Sequence, residues 1–368
     1  MNTNSRVTYL DGHRGLAILL VIFFHAYARW PGIVPYGSKY ANISIFKFGW
    51  LGVELFFLIS GYVILMTLEK CENFKEFIYR KWIRLFPAML ICSILIYITS
   101  FYFYERPAGK PSIDSLLPGL TFIEPSWWKI IFRSFEIKPL EGAFWSMYVE
   151  VKFYFFAAFI YFWKGKNWLI ATLFLFFALS VICNLVNNYS QCAFYRHAVT
   201  LVDLLSFNYF GWFASGSSFY LFTKTKELKW FSIAICFAIL SSVFVNNFEL
   251  QSTLAACIVS ALFTISVGSS QLQRILSNRF LLFFGFISYP LYLIHENMMI
   301  SMIVKLGSGN IRFANLSSPL LSIAALSCIA YGIALHAEPF IKKCCQLMMT
   351  KFQMAPIVPI QDQTKHER

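Results

Sequence analysis

The chain has 368 residues; 58% are hydrophobic, only 13% are charged, and the mean hydropathy is +0.60. A soluble domain has about 45–50% apolar and about 25% charged residues, so the composition excludes a soluble enzyme, a disordered chain and a DNA-binding domain. The net charge of +13 lies mostly between long apolar runs, where membrane topology rather than nucleic acid accounts for it.

A membrane-spanning helix needs about 20 mostly apolar residues. Ten segments fit: 10–29, 48–67, 85–104, 144–163, 168–186, 201–222, 230–246, 251–268, 280–304 and 317–337. The connection 68–84 is charged. The connection 105–143 is long and rich in Pro and Trp, the kind of loop that often carries function. With the N-terminus in the cytoplasm, 19 of the 31 Lys and Arg fall inside and 11 outside, and Lys152 lies within a span. That bias places both termini inside and the 105–143 loop outside. The expectation is an all-α integral membrane protein of about ten transmembrane helices with cytoplasmic N- and C-termini. Residues 1–340 form the membrane domain and 341–368 a short polar cytoplasmic tail. Pro339 is expected to stop the last helix. Residues 1–28 also have the outline of a signal peptide, with Arg6 and Arg14 ahead of the apolar run 15–24 and Ala26-Tyr27-Ala28 behind it. Asp11, His13 and His25 within that stretch and Pro31 just after it argue against cleavage. Nine cysteines are scattered without CxxC spacing. They read as small packers, and no metal site is expected.

Ionisable groups inside a membrane are costly and mark candidate functional sites. Arg14 and His25 share the first span. Eleven residues apart, they lie about 20° from each other around a helix and about 16 Å along it, so one face carries both. Histidine is the side chain suited to exchanging protons near neutral pH, and arginine grips phosphate or carboxylate. The plainer alternative is a snorkelling Arg and a His bonded to a neighbouring helix. The second span places Glu54 near its outer end and Ser60 deeper, which a small-residue packing helix would also explain. Arg80 and Arg84, at i and i+4, share a face on the cytoplasmic side. They suit an anionic cytosolic ligand such as the phosphates of a coenzyme, or form the ordinary basic flank of a span. The fourth span contains Glu150 and Lys152, which point about 160° apart and so need separate partners; His25 and Arg14 are the candidates for Glu150. In the ninth span Ser288, Tyr292 and His295 fall at i, i+4 and i+7 on one face, either as a functional stripe or as interhelical hydrogen bonds. Walker loops, GxSxG elbows and HExxH sequences are absent.

The opening Tyr9-Leu10-Asp11-Gly12-His13-Arg14-Gly15-Leu16-Ala17, with Arg14 and His25 in an Arg-x10-His pair, resembles the LDGLRGxA start of membrane acyltransferase family 3. These are bacterial integral membrane enzymes that O-acylate surface glycans. Gly52 to Gly61 is similar to the family's GVDLFFVISG, Arg80 to Pro87 to RRxxRIxP, and Trp145 to Tyr154 to WSLSVEEQFY. Ile287 to His295 is similar to ISYSLYLWH, and Glu338-Pro339 to the closing ErP. The blocks run in order from residue 9 to 339. The departures are His13 for Leu, Glu54 for Asp, Val151 for the second Glu, Lys152 for Gln and Pro290 for Ser.

The resemblance implies an enzyme of the bacterial inner membrane. It would move an acetyl group from cytosolic acetyl-CoA to a hydroxyl of a cell-surface polysaccharide, such as an O-antigen (a lipopolysaccharide modification) or an exopolysaccharide. Acetyl-CoA is then a substrate, and no cofactor is permanently bound. On this reading Arg80, Arg84 and Arg14 receive the donor. His25 is the general base or carries the acetyl group itself, and Glu150 orients His25 as a carboxylate does in a triad. Asp11, Glu54, Ser60, Tyr292 and His295 are supporting candidates, and Lys152 a weaker one for stabilising an oxyanion. Two rivals remain. One keeps the enzyme but uses another donor, such as succinyl-CoA. The other is a transporter or proton-coupled channel, to which intramembrane Arg, Glu and His are equally suited.

Overall fold

The computed structural model describes residues 7–133, 136–189, 192–246, 248–307 and 314–351. Among the described residues all regular structure is helical. The principal helices are α1 (Thr8–Phe24), α2 (Gly52–Leu68), α3 (Phe74–Thr99), α4 (Trp145–Lys164), α5 (Lys166–Tyr189) and α6 (Ala193–Leu204). They continue with α7 (Phe210–Thr225), α8 (Leu228–Phe244), α9 (Leu250–Gly268), α10 (Arg279–Gly307), α11 (Ala314–Gly332) and α12 (Glu338–Lys351). Six segments are long and apolar enough to cross a membrane by length and composition: Gly49–Leu68, Phe74–Thr99, Gly142–Lys164, Lys166–Asn187, Leu250–Gly268 and Ser317–Met349. The other four expected spans also fold as helices, but six is the number that length and composition establish. Large apolar side chains such as Phe155, Phe159, Leu175 and Ile182 stand exposed on the flanks of α4 and α5, as a lipid-facing rim requires.

Three expectations are corrected. The third span was drawn from residue 85, but α3 begins at Phe74, where the Asn73 side chain accepts the backbone N–H of Glu76. This N-cap turns the charged connection into helix, so Arg80 and Arg84 sit on α3 itself. The expected span 201–222 is broken: α6 ends at Leu204, and Ser206 takes a left-handed φ of 61° before α7 begins. Finally, Pro339 does not end the chain's last helix. A π-helical turn, Ile333–Ala337, precedes it, and the helical run continues through Pro339, the second residue of α12. Helix α12 packs back against α3 and passes the boundary expected at residue 340; the tail beyond 351 lies outside the described residues.

The centre of the fold is the α1–α10 pair. A Cβ added at Gly15 would fall 2.0 Å from the carbonyl oxygen of Leu281, and one at Gly285 2.1 Å from that of Asp11. The backbones therefore touch, as small residues permit between membrane helices. Ten residues further along each helix, His25 and His295 meet. Equal offsets in the same direction mean that α1 and α10 run parallel and in register over about 15 Å. Helix α2 packs against α1 and α7, and α3 against α10. The long connection 105–143 folds into short helices, Leu116–Thr121 and Pro125–Ile131 among them, and returns through Gly142–Phe144 onto α10.

Candidate active site

Two polar sites lie at different heights along the α1–α10 pair. The first is a cavity of about 90 Å³ lined by Arg14, Ser60, Arg84, Ser146, Glu150, Tyr154, Ser288, Tyr289 and Tyr292, with Phe56 and Met147 among its apolar walls. Glu150 is anchored inside it: Ser60 Oγ donates to Glu150 Oε1 at 2.6 Å, and the Tyr154 hydroxyl donates to the same oxygen. Arg14 Nη1 donates to Asp11 Oδ1 at 2.8 Å one turn earlier on α1. Arg14 and Arg84 thus face a cavity whose one carboxylate already holds two hydroxyl donors. Arg80 is not on this surface; its Nη2 donates to Glu76 Oε1 at 2.5 Å. Between them Lys81 is buried, with its ammonium 5.4 Å from the ring centres of Phe77 and Tyr154. Arg80, Lys81 and Arg84 therefore have different surroundings, and of the two expected together, Arg84 alone reaches the cavity.

The second site is the histidine pair. His25 opens a π-helical turn, His25–Arg29, at the end of α1. Such turns often accompany functional residues. His25 Nδ1 lies 2.9 Å from the carbonyl oxygen of Val21 and 3.2 Å from His295 Nε2. His295 Nδ1 lies 2.6 Å from the carbonyl oxygen of Tyr292. Carbonyls only accept, so both Nδ1 atoms must carry hydrogen. His295 Nε2 is then an acceptor, facing the N–H of His25. Two backbone carbonyls thereby select one tautomer for the pair, leaving His25 Nε2 with its lone pair free. That nitrogen is 3.6 Å from Glu296 Oε1.

The expected stripe on the ninth span joins the two sites. Ser288 and Tyr292 line the cavity, the Tyr292 hydroxyl bonds Ser146 Oγ at 2.7 Å, and His295 reaches His25. The expected pairing of Glu150 with His25 is not formed. The hydroxyls that bond Glu150, those of Ser60 and Tyr154, belong to the cavity at the Arg14 level, and the carboxylate beside His25 is Glu296. Glu54 is buried and not part of the cavity lining, its Oε2 without a hydrogen-bond partner among the described residues. Lys152 is committed elsewhere: its ammonium donates to Glu124 Oε2 at 2.8 Å, Ser206 Oγ at 2.8 Å and the carbonyl of Leu204 at 2.7 Å. It ties the 105–143 connection to the α6–α7 break.

Sequence reasoning passed over Glu296 and the loop residues beside it. Glu141 accepts from the backbone N–H of Asn297 at 2.6 Å and from its side-chain amide at 2.8 Å. Asn297 Oδ1 in turn accepts the N–H of Ala108 at 3.0 Å, and Arg106 donates to the carbonyl of Leu140. Burial, and then the charge of Glu296, push the Glu141 carboxyl up to about 8. The available signal was the adjacency of Glu296 to His295, together with a carboxylate placed directly ahead of the fourth span. No group of three or more candidate metal ligands occurs among the described residues.

The cavity faced by Arg14 and Arg84 shares Tyr292 with the histidine pair: its hydroxyl lies at the cavity and its backbone carbonyl accepts from His295. A family model described as an acyltransferase domain matches residues 7–337. The chain belongs to that family. It is 31% identical over 160 residues to the peptidoglycan O-acetyltransferase OatA of Listeria monocytogenes, and 30% identical over 156 residues to the O-acetyltransferase OatA of Staphylococcus aureus. These stretches are 40% and 39% of this chain, and 23% of each relative, so the chain spans about a quarter of the length of these curated relatives. No solved structure matches.

Proposed function

We propose that this protein is a multi-pass enzyme of the bacterial inner membrane that transfers an acetyl group from acetyl-CoA to a hydroxyl of a cell-surface glycan. Peptidoglycan or another envelope polysaccharide is the acceptor class. The observation that carries the reading is the free lone pair on His25 Nε2, fixed by two backbone carbonyls and linked through Tyr292 to a cavity faced by Arg14 and Arg84. The family membership supplies the reaction class, and the O-acetyltransferase relatives favour acetyl over succinyl.

The chemistry follows from the two sites. Arg14 and Arg84 attract the anionic donor at the cavity, and its flexible thioester arm reaches along the bundle to the histidine pair, about 16 Å away along α1. His25 Nε2 takes the proton of the acceptor hydroxyl. The hydroxyl oxygen bonds to the acyl carbon, the carbon–sulfur bond breaks, and the proton returns from Nε2 to the departing thiolate. With the N-terminus cytoplasmic, as the 19-to-11 bias of basic residues supports, the arginine cavity faces the donor's compartment and the histidine pair the glycan's.

The test uses membranes expressing the wild type or His25→Ala, supplied with acetyl-CoA labelled in the acetyl group. Label in base-labile glycan ester with the wild type, and none with His25→Ala at equal membrane insertion, is expected. Equal labelling by both would remove His25 from the reaction. Flux of solute across vesicles that is indifferent to acetyl-CoA would favour a transporter.

A further inference from the structure

Resting on the reading of His25 as the base, we infer that Glu296 is its positioning carboxylate and that the returning loop at Glu141-Gly142 holds Glu296 in place. Glu296 follows His295 on α10, and its side chain is 6% exposed. Its Oε1 faces His25 Nε2 at 3.6 Å, the one ring nitrogen that the carbonyls of Val21 and Tyr292 leave free. Its carboxylate faces the Trp30 side chain and the Ala143 backbone N–H, and Oε2 makes no full hydrogen bond among the described residues. A buried carboxylate in that condition gains from a further positive charge beside it. The acceptor's proton, landing on His25 Nε2, supplies that charge. The interaction is therefore stronger after proton transfer than before it, which is the condition for lowering the barrier rather than only tightening binding.

Other groups around the pair do not fill this role. His295 Nε2 is occupied by the N–H of His25. Both oxygens of Glu141 are taken by Asn297. Arg29 and Arg106 add positive charge facing Glu296, but Arg106 donates to the Leu140 carbonyl. The Glu141–Asn297 clasp fixes the loop against α10 one residue past Glu296. There Gly142 lies so close that an added Cβ would stand 2.6 Å from Glu296 Oε2. Only glycine leaves the carboxylate where it is. During transfer the acceptor O–H bond breaks and the Nε2–H bond forms, and the same proton later leaves with the thiolate.

The experiment measures steady-state acetyl transfer from acetyl-CoA into membrane glycan for the wild type, Glu296→Gln, Glu296→Asp and Gly142→Ala, with His25→Ala as the blank. Glu296→Gln is expected to lose about 100-fold in kcat, a typical general-base contribution, with KM for acetyl-CoA within about twofold. Glu296→Asp should recover part of the loss, and Gly142→Ala should lower kcat by displacing the carboxylate. Wild-type kcat in Glu296→Gln, beside an inactive His25→Ala, would overturn the role of Glu296 and leave the base assignment standing. Loss of acetyl-CoA binding by all three variants, without rescue by Asp, would mark Glu296 as merely structural and also overturn it. A wild type that transfers no acetyl would overturn the proposed function and this inference together.

Discussion

The arginine cavity and the histidine cluster share the same two helices but are built in different ways. The cavity is assembled from side chains that stand in recognisable sequence blocks: Arg14, Ser60, Arg84, Glu150 and Tyr292 each line it or project into it. The histidine cluster takes only His25 and His295 from those blocks. Its remaining members, Glu296, Glu141, Asn297 and Arg106, come from the turn of α10 that follows His295 and from the long 105–143 connection. The difference teaches that a site formed between regular helices can be read from helical faces, whereas one closed by a folded loop cannot. It also suggests a division of labour, with donor binding at the Arg14 level and proton transfer about 16 Å further along α1.

Substitutions can break or sharpen that division. The largest effect is expected from His25→Ala, a loss of about 10²–10⁴ in kcat, the range for a general base; acetyl transfer above about a tenth of the wild-type rate would contradict it. Arg84→Ala should raise KM for acetyl-CoA about tenfold, as loss of one charge-assisted contact of about 1.5 kcal/mol implies, with kcat nearly unchanged; Arg80→Ala, whose partner is Glu76, should move KM far less. A fall in kcat alone for Arg84→Ala would erase the distinction between the levels. Lys152→Met should lower the melting temperature through loss of about 1.5–3 kcal/mol of charged hydrogen bonding to Glu124, Ser206 and Leu204. Turnover per folded molecule should hold, and selective loss of turnover would return Lys152 to the chemistry.

The smallest effect is a pH slope. The Glu141 carboxyl is pushed up to about 8, so the folded protein holds that proton more tightly than the unfolded chain. Its contribution to stability is therefore fully present below the ordinary carboxyl range and is lost as pH rises through 8. Glu141→Gln should flatten the decline in melting temperature between about pH 5 and pH 8; an unchanged slope would show that Glu141 ionises freely.

Much of this was legible in the sequence, for reasons tied to particular residues. Helical spacing placed Arg14 and His25 on one face and Ser288, Tyr292 and His295 on another, and the parallel packing of α1 on α10 at Gly15 and Gly285 brings those faces together. Spacing says nothing of depth on a different helix. Glu150 was expected beside His25, yet it meets Ser60 and Tyr154 at the Arg14 level. Arg80 and Arg84 do share α3, but Glu76 one turn before Arg80 captures it, a local i,i+4 pair that the charge count concealed. The partners of Lys152 depend on a left-handed Ser206 and a folded loop, neither of which leaves a periodic trace. The same holds for Glu141, whose role exists only once the loop returns to Asn297.

The most direct measurement of the division of labour is equilibrium binding of acetyl-CoA to purified wild type, His25→Ala and Arg84→Ala. The account predicts that His25→Ala binds as tightly as the wild type while transferring nothing, and that Arg84→Ala binds about tenfold more weakly, the 1.4 kcal/mol of one lost contact. Loss of binding in His25→Ala, or undiminished binding in Arg84→Ala, would contradict it.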